Sequence, residues 1–204
     1  MRDETIAEFL AKLAARTPAP GGGAAAALHA AQAAALIGMV ARYSDGPRHD
    51  TALAGRVRAA ADGLIDEALE LAAADAAAFG KVAAAYRLPK ETDTDKEERS
   101  QAIADALAGA ARPPANLMAA SARLAGLAEE MLPAANRNVI SDLAAAAAAI
   151  TAAAITARVN IEANLAGLRD QRLKDDLAET ATVADEVADR AARLIDAVRE
   201  EMSS

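Results

Sequence analysis

Apolar and polar residues alternate along this chain with the period of an α-helix, three to four residues, through most of its length. Near the N-terminus four apolar residues follow that period: Ile6, Phe9, Leu10 and Leu13. Thr5 followed by Glu8 matches a capping box, which satisfies free backbone donors at a helix start. We therefore predict a short amphipathic helix that begins after Thr5, buries this face, and stops at Thr17-Pro18.

The same period, interrupted by glycine, proline and short polar runs, predicts a series of further helices. The second starts at the glycines and ends near Tyr43, before the turn-forming run Ser44-Asp45-Gly46-Pro47. Thr94 with Glu97 matches a second capping box, and Arg112-Pro113-Pro114 should break the helix that it opens. The remaining predicted helices cover residues 51–86, 94–111, a segment ending at 131, 139–168 and 175–200. No fixed-period repeat or linker is evident, so we predict one domain, residues 1–204.

Composition narrows the fold class. Hydrophobic residues make up 53% of the chain, yet aromatic residues make up only 2%, because alanine supplies most of the apolar content. Alanine is the strongest helix former and a poor strand residue. We predict an all-α bundle of about six to eight helices, whose core comes from close helix–helix approach rather than from large side chains.

The charge balance and the absence of cysteine exclude several functions. A net charge of −8 and the lack of a basic stripe argue against a nucleic-acid partner. Without cysteine there are no disulfides, which suits the cytoplasm. The charged N-terminus does not resemble a signal peptide. The apolar run at 143–155 is too short to span a membrane. We expect a soluble cytoplasmic protein.

The two histidines do not predict a metal site. Neither forms the Glu-x-x-His pair that di-iron bundles use. His29 lies within the alanine-rich second helix, where a structural histidine with its hydrogen bonds satisfied is expected. His49 lies among polar loop residues and should be solvated. We expect no metal and no cofactor.

The loop Pro18-Ala19-Pro20-Gly21-Gly22-Gly23 is the first candidate site. It runs directly into an alanine-rich helix, so free N–H groups and the positive end of the helix dipole lie at the glycines. Because glycine has no side chain, an anionic or carbonyl oxygen could approach this backbone closely. The alternative is a turn that only allows two helices to pack closely. The loop by itself does not decide between these interpretations.

A second candidate site begins with the segment Asn136 to Asp142, which also contains Asn138 and Ser141. Capping explains it on its own, with Asn136 or Asn138 as the N-cap and the acid in the first turn. However, Asp142 and Asn160 are 18 residues, or five turns, apart and so point from one side of the predicted helix.

Thr156 and Asn164 fall close to that side, and alanines lie between. Such a polar stripe is costly in a helical protein unless it meets something polar. Its ends are roughly 27 Å apart. They could share one site only in a homodimer with this helix antiparallel to its copy, which would bring Asp142 of one chain near Asn160 of the other.

With these features in place, the sequence resembles the cyclodeaminase/cyclohydrolase family, which includes the cyclodeaminase half of formiminotransferase-cyclodeaminase and methenyltetrahydrofolate cyclohydrolases. The matching motifs occur in family order over most of the chain. They are Thr17-Pro18-Ala19-Pro20-Gly21-Gly22-Gly23, Asp75-Ala76-Ala77-Ala78-Phe79, Leu88-Pro89-Lys90 with Arg99, Asn136 with Ile140-Ser141-Asp142, and Asn160 with Asn164.

The resemblance implies an all-helical homodimer that binds a tetrahydrofolate derivative. Two reactions then compete: hydrolysis of 5,10-methenyltetrahydrofolate, or its formation from 5-formiminotetrahydrofolate with loss of ammonia. On this basis Asp142 is the expected proton-transfer carboxylate, Ser141 orients it or a water molecule, and Lys90 is an alternative proton carrier. Asp75 is as plausible as an ion-pair partner of Lys90 or Arg99 as it is as a catalytic group.

The expected substrate-binding residues are Gly21, Gly22, Gly23, Asn136, Asn138, Asn160 and Asn164. The chain departs from the family at Ala24, where serine is common, and at Ala135, where glycine is common, and a formiminotransferase half is not part of it. Two rival functions remain open: a non-enzymatic helical dimer that carries folate or acts as a scaffold, and an enzyme of this family with another amidine or heterocyclic substrate.

Overall fold

The computed structural model describes residues 3–46 and 50–203, and this part of the chain contains helices and no strand. The all-α prediction is confirmed. Seven α-helices and one 3₁₀ helix follow in order: α1 (Ile6–Ala14), α2 (Gly22–Tyr43), α3 (Thr51–Tyr86), α4 (Asp93–Ala110), α5 (Arg112–Met131), the 3₁₀ helix (Leu132–Ala134), α6 (Ser141–Leu165) and α7 (Gln171–Ser203). The predicted bounds of the second and third helices agree with α2 and α3.

Helix α2 lies at the centre, packed against α3, α5 and α6, while α7 covers α6 and α5. Alanine dominates its buried face, including Ala26, Ala30, Ala33 and Ala34, and only Ile37 and Val40 are larger. Small side chains on both α2 and α6 let the two helices approach closely. Larger residues from α5, α6 and α7 fill the rest of the main core. A smaller cluster around Leu107 and Ile161 joins α4, α6 and α7.

Three predicted helix starts can be compared with the structure. The capping box at Thr5 and Glu8 is confirmed. The box at Thr94 and Glu97 is wrong, because α4 starts two residues earlier: Thr92 is its N-cap and Asp95 supplies the reciprocal carboxylate. The asparagine cap of α6 is also wrong. The chain turns through residues 137–140, and Ile140 stands at the N-cap position without a side-chain hydrogen bond.

Two predictions of burial fail. His29 is exposed on α2 and is not a buried histidine with its hydrogen bonds satisfied in the core. In α1 only Phe9 is buried, while Ile6 and Leu10 on the same predicted face are exposed. The prediction for His49 lies outside the described residues.

Two helices, α2 and α6, are long and apolar enough to cross a membrane by length and composition. For α2 this reflects its central place, since 61% of its most apolar window is buried by the rest of the chain. The corresponding figure for α6 is 39%. Helix α6 is therefore apolar on its solvent side as well, and its exposed residues include Ile155 and Val159, at 48% and 55%.

Candidate functional site

A small cavity of about 270 Å³ lies where the start of α2 meets α3 and α6. The glycine loop forms one wall, α3 a second and the C-terminal part of α6 a third, and α4 contributes one alanine. The lining residues are Pro18, Ala19, Gly21, Gly22, Gly23, Asp75, Phe79, Ala110, Asn160, Ala163 and Asn164. The glycine loop and the pair Asn160 and Asn164 lie about 140 residues apart in sequence, and both line this one cavity.

The glycine wall is the bare N-terminus of α2. Gly21 is its N-cap in an extended conformation, and no side chain of its own segment caps the helix. A Cβ at Gly22 would lie 3.9 Å from Thr156 Cγ2 and 4.0 Å from Asn160 Oδ1, so α6 stands directly against this backbone. Free N–H groups and the positive end of the α2 dipole therefore face the cavity.

Gly23 is where the loop meets Asp75 of α3. A Cβ at Gly23 would lie 2.5 Å from Asp75 Oδ2 and closer still to Oδ1, which is nearer than atoms can pack. The carboxyl also accepts a hydrogen bond from the backbone N–H of Ala24. Glycine is required here for close approach, because any side chain would displace the carboxyl.

Asp75 is the one titratable residue in the cavity wall. Burial raises the pKa of the Asp75 carboxyl above its ordinary value, and the hydrogen bond from Ala24 N–H offsets part of that rise. The other lining residues are glycine, alanine, proline, phenylalanine and asparagine, so no lining residue supplies a positive charge. The cavity therefore offers one carboxyl group to a ligand, in an otherwise uncharged surrounding.

The α6 wall offers amide groups. Asn160 Nδ2 is buried and has no hydrogen-bond partner among the described residues. Asn164 Nδ2 donates to the backbone oxygen of Asn160 at 2.8 Å, which leaves the Asn164 side-chain oxygen as an acceptor. A buried amide donor without a partner costs free energy. An acceptor on a bound ligand would remove that cost.

Phe79 lies one turn after Asp75 on the same face of α3 and is 48% exposed at the cavity. The chain has only two phenylalanines. An aromatic ring left open to solvent beside polar groups is a surface on which a flat heterocycle can stack.

The other predicted site residues lie elsewhere in the chain. Asp142 and Ser141 begin α6, at the end remote from Asn160. Asn136 is engaged in the fold: its Nδ2 donates to Tyr43 O, and its Oδ1 accepts from Asn138 N. These contacts tie the end of α2 to the turn before α6.

Lys90 is exposed in the loop between α3 and α4, and its backbone N–H donates to Glu91. It does not line the cavity. Arg99 donates to Tyr86 O and stacks over the Tyr86 ring at 5.6 Å. Within the described residues Asp75 forms an ion pair with neither of these cations, so the ion-pair interpretation of Asp75 is wrong.

The sequence left Asp75 open between a catalytic group and an ion-pair partner, and it included Phe79 only as part of a family motif. Their spacing of four residues on α3 matches that of Asn160 and Asn164 on α6, so each pair lies on one helical face. This spacing and the family motif that contains both residues were the available signals. The distance between the two helices, however, depends on tertiary packing that spacing does not encode.

A larger groove of about 670 Å³ runs between α3 and α5. Its charged groups already have ion-pair partners: Arg123 pairs with Glu67 across the groove, and Glu130 pairs with Arg56 beside it. Its other lining residues are alanine, glycine and leucine. We place the functional site at the smaller cavity. Among the described residues, this is where an amide without a hydrogen-bond partner, the N-terminus of α2 and a carboxyl without an ion-pair partner converge.

Comparison with known proteins shows the family of this chain. The sequence profile of the family described as formiminotransferase-cyclodeaminase matches residues 5–183. The chain belongs to the formiminotransferase-cyclodeaminase family. It is 34% identical over 177 residues to a methenyltetrahydrofolate cyclohydrolase of Methylorubrum extorquens, an alignment that covers 85% of each chain.

Two further relatives show how this family is organised. The chain is 31% identical to the formimidoyltransferase-cyclodeaminase of Rattus norvegicus, but it spans only 32% of that longer protein. The crystal structure of formiminotetrahydrofolate cyclodeaminase from Thermotoga maritima superposes with a TM-score of 0.83 at 25% identity, covering 96% of this chain and 97% of that one. The whole helical bundle, and not a fragment of it, is therefore shared with that enzyme.

Proposed function

We propose that this protein is an enzyme that acts on the one-carbon bridge between N5 and N10 of tetrahydrofolate. The observation that carries the proposal is the cavity in which Asp75 is the one ionisable group, next to the free N–H groups of α2 and the unpaired amide of Asn160. The bridging carbon of these substrates carries a delocalised positive charge. A carboxyl without a competing cation complements that charge.

Two reactions fit this site, and 5,10-methenyltetrahydrofolate is the substrate of one and the product of the other. In cyclohydrolysis, water adds to the cationic methenyl carbon and loses a proton. The bond from carbon to N5 then breaks as the new hydroxyl group loses its proton and becomes the formyl oxygen, and N5 takes up a proton. The product is 10-formyltetrahydrofolate, and the sum of these steps releases one proton.

In cyclodeamination, N10 attacks the protonated formimino carbon on N5, and a proton passes from N10 to the departing nitrogen. The bond to that nitrogen breaks, which gives 5,10-methenyltetrahydrofolate and ammonia. Both reactions need a group that moves a proton beside the bridging carbon. The relatives in Methylorubrum extorquens and Thermotoga maritima are named for one reaction each, and the cavity of this chain suits both reactions.

The size and lining of the cavity suit the reacting end of a folate. A volume of about 270 Å³ is below the range of roughly 300–1,000 Å³ typical of pockets for drug-sized ligands. We place the pterin ring and the bridge inside, with the ring on Phe79 and its edge at Asn160 and Asn164. The pterin carbonyl oxygen accepts hydrogen bonds from the glycine N–H groups. The remainder of the folate extends out of the mouth.

A second copy of the chain completes the site in this proposal. Exposed apolar residues follow one face of α6, including Ala145, Ala148, Ile155 and Val159. A helix that is apolar on all sides is normally buried. The stripe from Asp142 to Asn160 borders this exposed face. Antiparallel pairing of two α6 helices would cover it and place Asp142 and Ser141 of one copy beside the cavity of the other.

We further propose that the protein works in the cytoplasm and has neither a nucleic-acid nor a membrane partner. Its net charge of −8 opposes binding to phosphate backbones and to anionic lipid surfaces. The exposed apolar face of α6 is covered by the second copy and not by lipid.

Absorbance of 5,10-methenyltetrahydrofolate tests the activity. Loss of this absorbance faster than in buffer identifies the cyclohydrolase, and its appearance from 5-formiminotetrahydrofolate identifies the cyclodeaminase. If the protein changes neither rate but binds either folate, it is a carrier. Absence of both activity and binding refutes the folate proposal.

Mixing inactive variants tests the shared site. D142N and N160A subunits, unfolded together and refolded, would form heterodimers in which one of the two sites has both native residues. We expect partial recovery of activity in this mixture. A mixture of D75N and N160A serves as the control, because both residues belong to the cavity of one chain and no complete site can form. Equal recovery in the two mixtures, or none in either, contradicts the role of Asp142 across the interface.

A further inference from the structure

We infer that one face of α3, from Phe79 to Tyr86, binds the benzoyl-glutamate tail of the folate together with Arg99 of α4. This inference rests on the proposed function and deepens it, since it assigns residues to the part of the substrate that the cavity does not hold. The cavity of about 270 Å³ takes the pterin ring and the bridge. The tail must therefore lie on the surface outside the mouth.

Two exposed aromatic rings mark a strip that leads away from the mouth. Phe79 lines the cavity wall and is exposed there. Tyr86, also exposed, follows seven residues later on α3, which is close to two full turns, so both rings lie on the same side of the helix. The helical rise separates them by roughly 10 Å. Val82 lies between them and is buried in the cluster that joins α3 to α4, so the strip is apolar along its length.

Helix α4 runs back along α3 and places a cation at the far end of this strip. Ala110, at the end of α4, lines the cavity with Asp75, whereas Arg99, three turns earlier, lies against Tyr86. The Arg99 guanidinium carbon is 5.6 Å from the centre of the Tyr86 ring, and Nη2 donates to Tyr86 O at 3.2 Å. These two contacts hold the guanidinium in one position relative to the strip.

The Arg99 guanidinium keeps donors for an anion. Within the part of the chain that the structure describes, it forms no ion pair, and its Nε has no hydrogen-bond partner. Two acids at the start of α4 are engaged elsewhere, since Asp95 completes the capping box with Thr92 and Asp93 pairs with Lys96. A guanidinium presents five donors in one plane, and this geometry matches the two oxygens of a carboxylate.

The tail of the substrate has the chemistry and the length that this strip requires. Its benzoyl ring is flat and can stack on an aromatic side chain. The glutamate that follows carries two carboxylates, and ordinary bond lengths place them roughly 10 Å from N10 of the bridge. With the pterin ring and the bridge at Phe79, a tail that follows α3 therefore brings a carboxylate to Arg99.

A structural role is the competing explanation, because the hydrogen bond from Arg99 to Tyr86 O also ties α4 to the last turn of α3. The two roles differ in how they affect different substrates. A tie between helices serves every substrate equally, whereas a carboxylate site serves only a substrate with a charged tail. The probe is 5,10-methenyltetrahydrofolate in which both glutamate carboxyls are converted to amides. It keeps the rings and the size of the tail and loses its charge.

The experiment measures KM and kcat by absorbance for the wild type, R99Q and R58Q, with the natural and the amidated tail. For a cyclodeaminase, the 5-formimino compounds with the same two tails replace the methenyl compounds. The reaction in buffer is subtracted, and circular dichroism checks folding. Arg58→Gln is the matched control, because Arg58 is exposed near the other end of α3 and its replacement removes the same charge.

The expected result is a change that depends on the charge of the tail. In the wild type we expect KM to be about 10-fold higher for the amidated tail, since a charge-assisted hydrogen bond is lost. In R99Q we expect KM for the natural tail to rise by about the same factor, KM for the amidated tail to stay unchanged, and kcat to stay within about twofold. R58Q should match the wild type with both compounds.

The outcomes separate the two proposals. If the wild type catalyses neither reaction, the proposed function fails and the tail site fails with it. If the wild type is active and has equal KM values for the two tails, only the tail site is overturned, and this result needs no variant that has to fold. A loss of kcat/KM in R99Q that is equal for both tails also overturns the tail site and leaves Arg99 as a tie between α3 and α4.

Discussion

Substitution of Gly23 by alanine is the most direct test of how the glycine loop and α3 fit together. The added Cβ would lie 2.5 Å from Asp75 Oδ2, whereas ordinary van der Waals contact begins at 3.4 Å. The carboxyl must therefore move by about 1 Å, because the Cβ is fixed to the backbone of α2. The side chain of Asp75 is short, so most of this movement has to come from rotation away from Ala24 N–H.

The energetic cost follows from these contacts. Alanine in place of glycine favours a helix by up to about 1 kcal/mol. Against this, overpacking costs about 1–3 kcal/mol, and a buried N–H that loses its partner costs about 1–3 kcal/mol. We expect G23A to lower the free energy of unfolding by about 1–5 kcal/mol. A displacement of about 1 Å at a catalytic group costs on the order of 100-fold in rate.

Urea unfolding and the methenyltetrahydrofolate absorbance assay measure the two effects. Gly55→Ala is the matched control: Gly55 is also a helical glycine, in α3, but a Cβ there meets nothing within 4 Å. That variant should be as stable as the wild type or more so, and equally active. If G23A proves as stable and as active as G55A, then Asp75 does not pack against Gly23 as described.

Three further predictions concern the rest of the fold. Ser44→Ala should lower the free energy of unfolding by about 1–3 kcal/mol in urea, because the buried hydroxyl accepts from Asn136 N at 2.8 Å and its loss leaves that N–H unpaired; an unchanged midpoint would contradict this. Glu129 pairs with Arg190 through two hydrogen bonds, which lower the pKa of the glutamate. The pair therefore stabilises the fold above the ordinary glutamate pKa of 4.5, and this stabilisation is lost as pH falls below that value. The free energy of unfolding of E129Q should depend less on pH in the acid range, and at pH 7 it should be lower than that of the wild type by about 1 kcal/mol or less. Val159→Asp should halve the mass measured by light scattering while the helical circular dichroism signal stays, since Val159 is exposed within one chain; a variant with the mass of the wild type would refute pairing through α6.

Much of this fold can be predicted from sequence, because helix-breaking residues and alanine content determine helix bounds through local interactions. Alanine content and the glycine and proline positions define the starts and ends of α2 and α3. Local signals fail where two competing caps lie close together. Thr92 with Asp95 prevails over Thr94 with Glu97, because the Asp95 carboxylate completes the capping box and the earlier start extends the helix by two residues.

The site is less predictable, since it depends on which faces of three helices converge. The spacing of Asp142 and Asn160 correctly indicates a shared side of one helix, but the two residues lie at opposite ends of α6. The glycine loop and Asn160 do come together. The place of Asp75 follows from the register of α3 against the start of α2, which only tertiary packing determines.

The alanine content and the site have one physical explanation. Asn160 can stand 4.0 Å from the position of a Cβ on Gly22 only if α2 and α6 run close together along their length. The buried alanines of both helices, such as Ala30 on α2 and Ala153 on α6, permit this approach. Larger side chains in their place would bury more apolar area and separate the helices. The backbone N–H groups of α2 would then no longer reach a ligand held by α6. The site therefore depends on the small side chains of the core, because backbone N–H groups can bind a ligand only where no side chain blocks access to them.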